Sequence, residues 1–178
     1  MIERTFAIIK PDAVKNGTQD KIIQRILQHG LSIVAYREFT FDRELAETFY
    51  SIHNDRAFFE GLVFFMMSGP CIGLVLEGED AVSSWRALMI DIRQEFGTTV
   101  TENAVHGSDA LVTARGEIKL MFPQVHRNPP HSILRNAMIP CETCKRPRGF
   151  GERMMTYDGK VYCDYDCAEE DGEEWATK

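Results

Sequence analysis

A chain of 178 residues holds one domain of ordinary size with room for a small second module. Hydrophobic residues make up 44% of it, enough for a buried core, and a net charge of −7 argues against a general nucleic-acid or anionic-membrane surface. No run is apolar and long enough to span a bilayer, and Met1-Ile2-Glu3-Arg4 lacks signal-peptide architecture, so the expected location is the cytoplasm, where thiols stay reduced.

Thr5-Phe6-Ala7-Ile8-Ile9 is a short apolar run that reads as a buried strand, ending at Lys10-Pro11-Asp12. From about 18 to 29, Ile22, Ile23, Ile26 and Leu27 recur at helical spacing, and Gly30 supplies the stop. Residues 31–41 are rich in β-branched and aromatic side chains and read as a strand. Asp42 then caps a helix carrying Leu45, Phe49 and Ile52. An apolar helix is expected over 58–67, a strand over 71–76, and a helix over 80–90 with Val82, Trp85, Leu88 and Met89 on one side. His106 precedes a Gly-Ser-Asp turn, where Ser108 or Asp109 is expected to cap a short helix over 108–115. Residues 118–122 are expected to close the domain as a strand. Strands with interspersed helices, and no Gly-rich nucleotide fingerprint, predict an α+β ferredoxin-like sandwich, an antiparallel sheet with helices.

Cysteine usage marks a boundary. Cys71 stands alone in the first 140 residues and is most simply a core residue, whereas Cys141, Cys144, Cys163 and Cys167 crowd into the last 38. Asn128-Pro129-Pro130 marks a linker at about 123–138, giving a domain over 1–125 and a module over 136–178 that ends in an acidic tail, 169–174. Cys141-x-x-Cys144 and Cys163-x-x-x-Cys167 have the spacing of two knuckles closing on one ion, and Asp158-Gly159 between them suits a hairpin turn. The expectation is a zinc-ribbon-like module with structural Zn2+ on four thiolates. Two disulfides are the alternative, disfavoured in a reducing compartment, and redox use of Cys141 and Cys144 lacks a thioredoxin-like context. Lys145, Arg146, Arg148 and Arg153 add local positive charge, balanced by the acidic tail.

Five stretches, in order, carry a specific resemblance: 3–12 (Glu-Arg-Thr-Phe-Ala-Ile-Ile-Lys-Pro-Asp), 55–63, 67–70 (Met-Ser-Gly-Pro), 76–78 (Leu-Glu-Gly) and 103–109 (Asn-Ala-Val-His-Gly-Ser-Asp). Residues 3–122 resemble a nucleoside diphosphate kinase. The resemblance implies transfer of the terminal phosphate of a nucleoside triphosphate to a nucleoside diphosphate by a ping-pong cycle through a phosphohistidine. On that basis His106 matches the phosphorylated histidine and Glu117 the group holding its ring in one tautomer, there expected at the start of the last strand. Ser108 matches a serine hydrogen-bonded around the site, and Tyr50 a tyrosine whose hydroxyl lies near the histidine. Arg86 and Arg93 match two phosphate-holding arginines, Lys10 a lysine reaching sugar hydroxyl and phosphate, Asn103 a sugar contact, and Phe58 the ring on which the base stacks. Mg2+ is expected with the nucleotide, without a named protein ligand.

The chain also departs from the family pattern. Members typically carry, between the two arginines, a longer insertion with a phosphate-binding threonine and a loop that packs between subunits. Here Arg86 and Arg93 are separated by Ala87-Leu88-Met89-Ile90-Asp91-Ile92 alone, and Thr98 and Thr99 beyond them are weak substitutes. Ala13 stands where members often have glycine. A homodimer is the expected minimum unit. Two other readings follow from the shortened loop and the cysteines. One is a catalytically weak nucleotide-binding regulatory protein whose zinc module recruits a partner. The other is a zinc-dependent nucleic-acid binder, disfavoured by the net charge.

Overall fold

The computed structural model describes residues 2–123 and 125, together with the backbone of four short strands at 139–140, 147–148, 155–157 and 160–162. The chain divides into two compact units, Met1–Ser132 and Ile133–Lys178.

In the first unit the order is β1 (Ile2–Ile9), α1 (Pro11–Lys15), α2 (Gln19–Gln28), β2 (Ser32–Thr40), α3 (Arg43–Phe49), α4 (Phe59–Met66), β3 (Pro70–Glu79), α5 (Ala81–Phe96), β4 (Val105–Gly107) and α6 (Leu111–Met121). The four strands form one antiparallel sheet in the order β2-β3-β1-β4, the ferredoxin-like arrangement expected from the sequence. β1 is central, and Phe6, Ala7, Ile8 and Ile9 are all fully buried, which explains why it reads as a continuous apolar run rather than an alternating one.

Strand alternation decides what each helix covers. Phe6 and Ile8 join Ala46 and Phe49 of α3, Val63 and Met66 of α4, and Ile118 and Met121 of α6 in one cluster. α5 packs against β1, β3 and β4, and touches α2. His106 pairs with Ile8 and Gly107 with Ala7 in the β1–β4 ladder. The His106 side chain therefore faces the α3–α6 layer, while Gly107 faces α5.

Local signals set the element ends. Asp42 accepts from Leu45 N–H at 2.8 Å and caps α3, as its sequence predicts. Gly30, at φ +86°, ends α2 in a Schellman motif: Gly30 N–H donates to Leu27 O and Leu31 N–H to Ile26 O.

Three expectations are corrected. Residues 118–122 are not a strand; 118–121 complete α6 and Phe122 is its C-cap, because buried Ala114, Ile118 and Met121 follow the helical period and not the strand period. Glu117 therefore stands on a helix. Neither Ser108 nor Asp109 caps that helix, since its N-cap is Ala110 and Ser108 is engaged elsewhere. The fourth strand is β4, which carries His106 itself and is too short for an alternation pattern to announce it.

In the second unit, Ile139–Pro140 (β5) pairs with Pro147–Arg148 (β6), and Met155–Tyr157 (β7) pairs antiparallel with Lys160–Tyr162 (β8). Cys141, Cys144, Cys163 and Cys167 lie outside the described residues.

Candidate active site

β4 begins at an unusual turn. Ala104 is buried at φ +65°, and Val105 N–H donates to Asn103 O at 2.7 Å, closing a three-residue γ-turn. Such a backbone costs an alanine about 1–2 kcal/mol, so its surroundings must impose it. They do so from the end of β1. Lys10 N–H donates to Ala104 O at 2.8 Å, and Asp12 Oδ2 accepts from Ala104 N–H at 2.9 Å.

His106 follows two residues later. Its Nε2 lies 3.1 Å from Glu117 Oε1, and the two side chains keep 21% and 13% of their exposure. An ionised carboxylate accepts hydrogen bonds and donates none, so this pairing places the ring proton on Nε2 and leaves the Nδ1 lone pair free. Ser108 Oγ donates to the other Glu117 oxygen and accepts from Phe6 N–H. The imidazole is edge-on to Phe49 and Tyr50, with centroids 5.2 and 5.9 Å away. From the opposite face, fully buried Trp85 donates Nε1–H to His106 O at 3.2 Å. A Cβ on Gly107 would lie 2.2 Å from that same indole nitrogen, so the glycine is required for α5 to approach.

The cations flank this strand. Arg93 donates Nε and Nη2 to Val105 O at 3.3 and 2.9 Å. Burial, then repulsion by Arg86, lowers its pKa. Arg86 lies seven positions earlier on the same helix, about 10 Å along the axis, so both arginines share one face. With Ala87, Met89 and Ile90 they line an open concavity of about 250 Å3. α5 runs unbroken from one arginine to the other, and the short interval between them is helix rather than loop. Lys10 is 5% exposed and donates Nζ–H to Asn103 Oδ1 at 2.7 Å and Thr101 O at 3.2 Å. Burial, reinforced by Arg93, pulls its pKa down to about 8.

The structure thus brings together His106, Glu117, Ser108 and Tyr50, and separately pairs Lys10 with Asn103. Tyr50 Oη is buried without a hydrogen-bond partner, and burial raises the phenol's pKa. Phe58 stands apart, 54% exposed, its ring against His53 at 5.6 Å. Thr98 and Thr99 bond within their own loop, to Glu102 and to backbone N–H groups of Thr101 and Glu102. Cys71 is a buried free thiol pushed up to about 12 by burial, in keeping with a core role. Sequence reasoning placed Trp85 in the core without seeing its bond to the His106 peptide. It gave Asp12 no role. The signals were present in the Gly after His106 and in the Asp after Lys10-Pro11.

A half-buried histidine with one nitrogen free, on a strand flanked by a lysine and two arginines, is the equipment of a phosphotransferase. The sequence model described as nucleoside diphosphate kinase matches residues 3–126, and the chain belongs to that family. It is 45% identical over 131 residues to the nucleoside diphosphate kinase of Desulfotalea psychrophila (strain LSv54 / DSM 12343), covering 68% of this chain and 96% of that protein. Nucleoside diphosphate kinase 2 of Protochlamydia amoebophila (strain UWE25) is 47% identical over 131 residues, covering 68% and 92%. Among solved structures, the Aquifex aeolicus nucleoside diphosphate kinase superposes with a TM-score of 0.68 at 40% identity, over 71% of this chain and 99% of that one. The Halobacterium salinarum enzyme, solved in complex with CDP, gives 0.67 at 37% identity, over 71% and 91%. The activity is phosphoryl transfer between nucleotides, and the regulatory reading is not favoured. The four clustered cysteines lie beyond the matched region.

Proposed function

We propose that the transfer runs through a phosphohistidine on His106. Nδ1 attacks the terminal phosphorus of a nucleoside triphosphate, an N–P bond forms, and the bridging P–O bond breaks to release the diphosphate. A second diphosphate then takes the phosphoryl group through its own terminal oxygen, and His106 is regenerated. Glu117 accepts the Nε2 proton's hydrogen bond throughout, and Ser108 steadies Glu117. The observation that carries this reading is the His106 Nε2–Glu117 pair at 3.1 Å, because it leaves Nδ1 as the nucleophilic atom.

The remaining roles are those the family resemblance implies, and the geometry is compatible with them. Arg86 and Arg93 take the phosphates with their planar forks. Lys10 and Asn103, which satisfy each other in the free enzyme, turn to the sugar and phosphate. Tyr50 offers its unpartnered hydroxyl to a phosphoryl oxygen. Phe58, exposed at the start of α4, stacks on the base, a contact that any base satisfies. Among the described residues no three His, Cys, Asp or Glu side chains converge on a metal site. Mg2+ is expected to arrive with the nucleotide, since hard cations bind phosphate oxygens, and no protein ligand is named for it.

Residues 1–125 form the catalytic domain in this reading, and 136–178 a structural zinc module on Cys141, Cys144, Cys163 and Cys167. The support for zinc is the spacing of the cysteines alone. The protein works in the cytoplasm as at least a homodimer; a stable monomer in light scattering would refute the dimer. The decisive experiment is incubation with γ-labelled nucleoside triphosphate. Wild type acquires acid-labile phosphate and His106→Ala does not; equal labelling of both would overturn the assignment.

A further inference from the structure

We propose that Asp12 is a positioning residue for phosphoryl transfer: its carboxylate holds the left-handed turn at Ala104 and thereby aims the strand that carries His106. This rests on His106 being the phosphorylated group.

Ala104 sits where alanine is strained, at φ +65°, inside a turn closed by the Val105 N–H to Asn103 O bond. Both polar groups of Ala104 are clamped by one short segment. Its carbonyl accepts from Lys10 N–H at 2.8 Å, and its N–H donates to Asp12 Oδ2 at 2.9 Å. The first clamp continues the β1–β4 ladder past the Ile9–Val105 pair. The second is a side-chain bond that only residue 12 supplies, and charge strengthens it. Without it, the N–H of a buried residue loses its acceptor.

Asp12 is held in place at a cost. Its Oδ1 is buried without a hydrogen-bond partner, in the first turn of α1 between buried Pro11 and Ala13. The carboxylate favours the Lys10 ammonium nearby, and its second oxygen serves the turn. The turn in turn has leverage in two directions. Asn103, just before it, pairs with Lys10, and His106, just after it, pairs with Glu117. β4 is three residues long and pairs in the sheet with β1 alone, so its backbone ladder does little to resist a rotation at Ala104, and the side chains of Arg93 and Trp85 that bond its carbonyls follow the turn. One relaxed turn displaces the nucleophile and the sugar-side pair together.

The test is single-turnover labelling of the full chain by saturating γ-labelled nucleoside triphosphate, with rates expressed per folded enzyme. Asp12→Ala loses at least about tenfold, the scale of a small misplacement of reacting groups. Asp12→Asn, whose amide oxygen still accepts from Ala104 N–H, keeps most of the rate. The double variant Asp12→Ala with Ala104→Gly regains most of it, because glycine adopts φ +65° without strain and needs no clamp. A wild-type rate in Asp12→Ala overturns the proposal, and so does a double variant that folds and stays slow. If Asp12→Ala alone does not fold, the double variant decides by the same criterion. Labelling of His106→Ala would instead overturn the histidine assignment, so the two failures are distinguishable.

Discussion

His106 is held in place by side chains of four elements. Glu117 takes its ring nitrogen, Trp85 its carbonyl, Phe49 and Tyr50 two edges of the ring, and Phe6 lies beneath at 6.5 Å. Removing the carboxylate frees both tautomers, so Glu117→Ala should lower turnover roughly a hundredfold with a smaller effect on nucleotide affinity. Steady-state kinetics at saturating substrate checks this. Gly107→Ala drives a methyl into Trp85 and Met89, and should cost about 1–3 kcal/mol in urea denaturation, together with activity. Lys10 makes a pH prediction. Its pKa is about 8 in the fold against an ordinary 10.5, so between those values the unfolded chain binds the proton and the folded chain does not. Its contribution to stability is therefore in place above 10.5 and lost as the pH falls to about 8: the free enzyme should gain stability as pH rises through this window. Activity should do the opposite, with an alkaline limb in kcat/KM near pH 8 as the ammonium is lost. Lys10→Arg should move that limb out of range, since a guanidinium stays charged.

At the scale of elements, α5 is the part that distinguishes this chain. Two arginines seven positions apart on one continuous helix have a fixed separation. Ile90→Pro removes the bond from residue 90 to the Arg86 carbonyl and splays the helix between them, at about 3 kcal/mol. Its KM for nucleotide should rise more than its kcat falls. The sequence stretch Asp80–Ile90 shows the first part of this helix; Ile92, three and four positions after Met89 and Leu88, continues the same buried stripe, so the helix runs on past the expected end to Phe96. β1, β2, β3, α2 and the Asp42 cap were legible because apolar and β-branched runs, a helical period and a capping residue are each local signals. β4 was not, having three residues. The segment 118–122 misled for the opposite reason: Ile118 and Leu120 to Phe122 look strand-like in isolation, and only Ala114 upstream reveals the helical period. Lys10, Asn103 and His106 lie in the family motifs and Glu117 at a matching position beyond them, and the structure pairs Lys10 with Asn103 and His106 with Glu117, whereas Asp12 and Trp85 act through backbone groups, which leave little trace in side-chain patterns.

For the molecule as a whole, the division at 132/133 separates the residues assigned to catalysis from the four clustered cysteines. If the zinc proposal is right, purified protein carries about one Zn2+ per chain. A strong chelator should then strip protease protection from 133–178 while phosphoryl transfer by the first unit continues, because none of the residues assigned to catalysis lies beyond 117. Loss of turnover in step with zinc would show that the module supports the catalytic unit directly.

The brevity of β4 has a consequence for how the enzyme matures. Phe6 and Ser108 meet across 102 positions, and β4 gains its other anchors from α5 and α6. Contacts so distant in the chain close late. During refolding, amide protection in β1 and β3 should therefore appear before the chain can accept label from nucleoside triphosphate. A newly made chain would pass through its collapsed stages chemically silent, and competence for phosphorylation would serve as a timer for the last docking event.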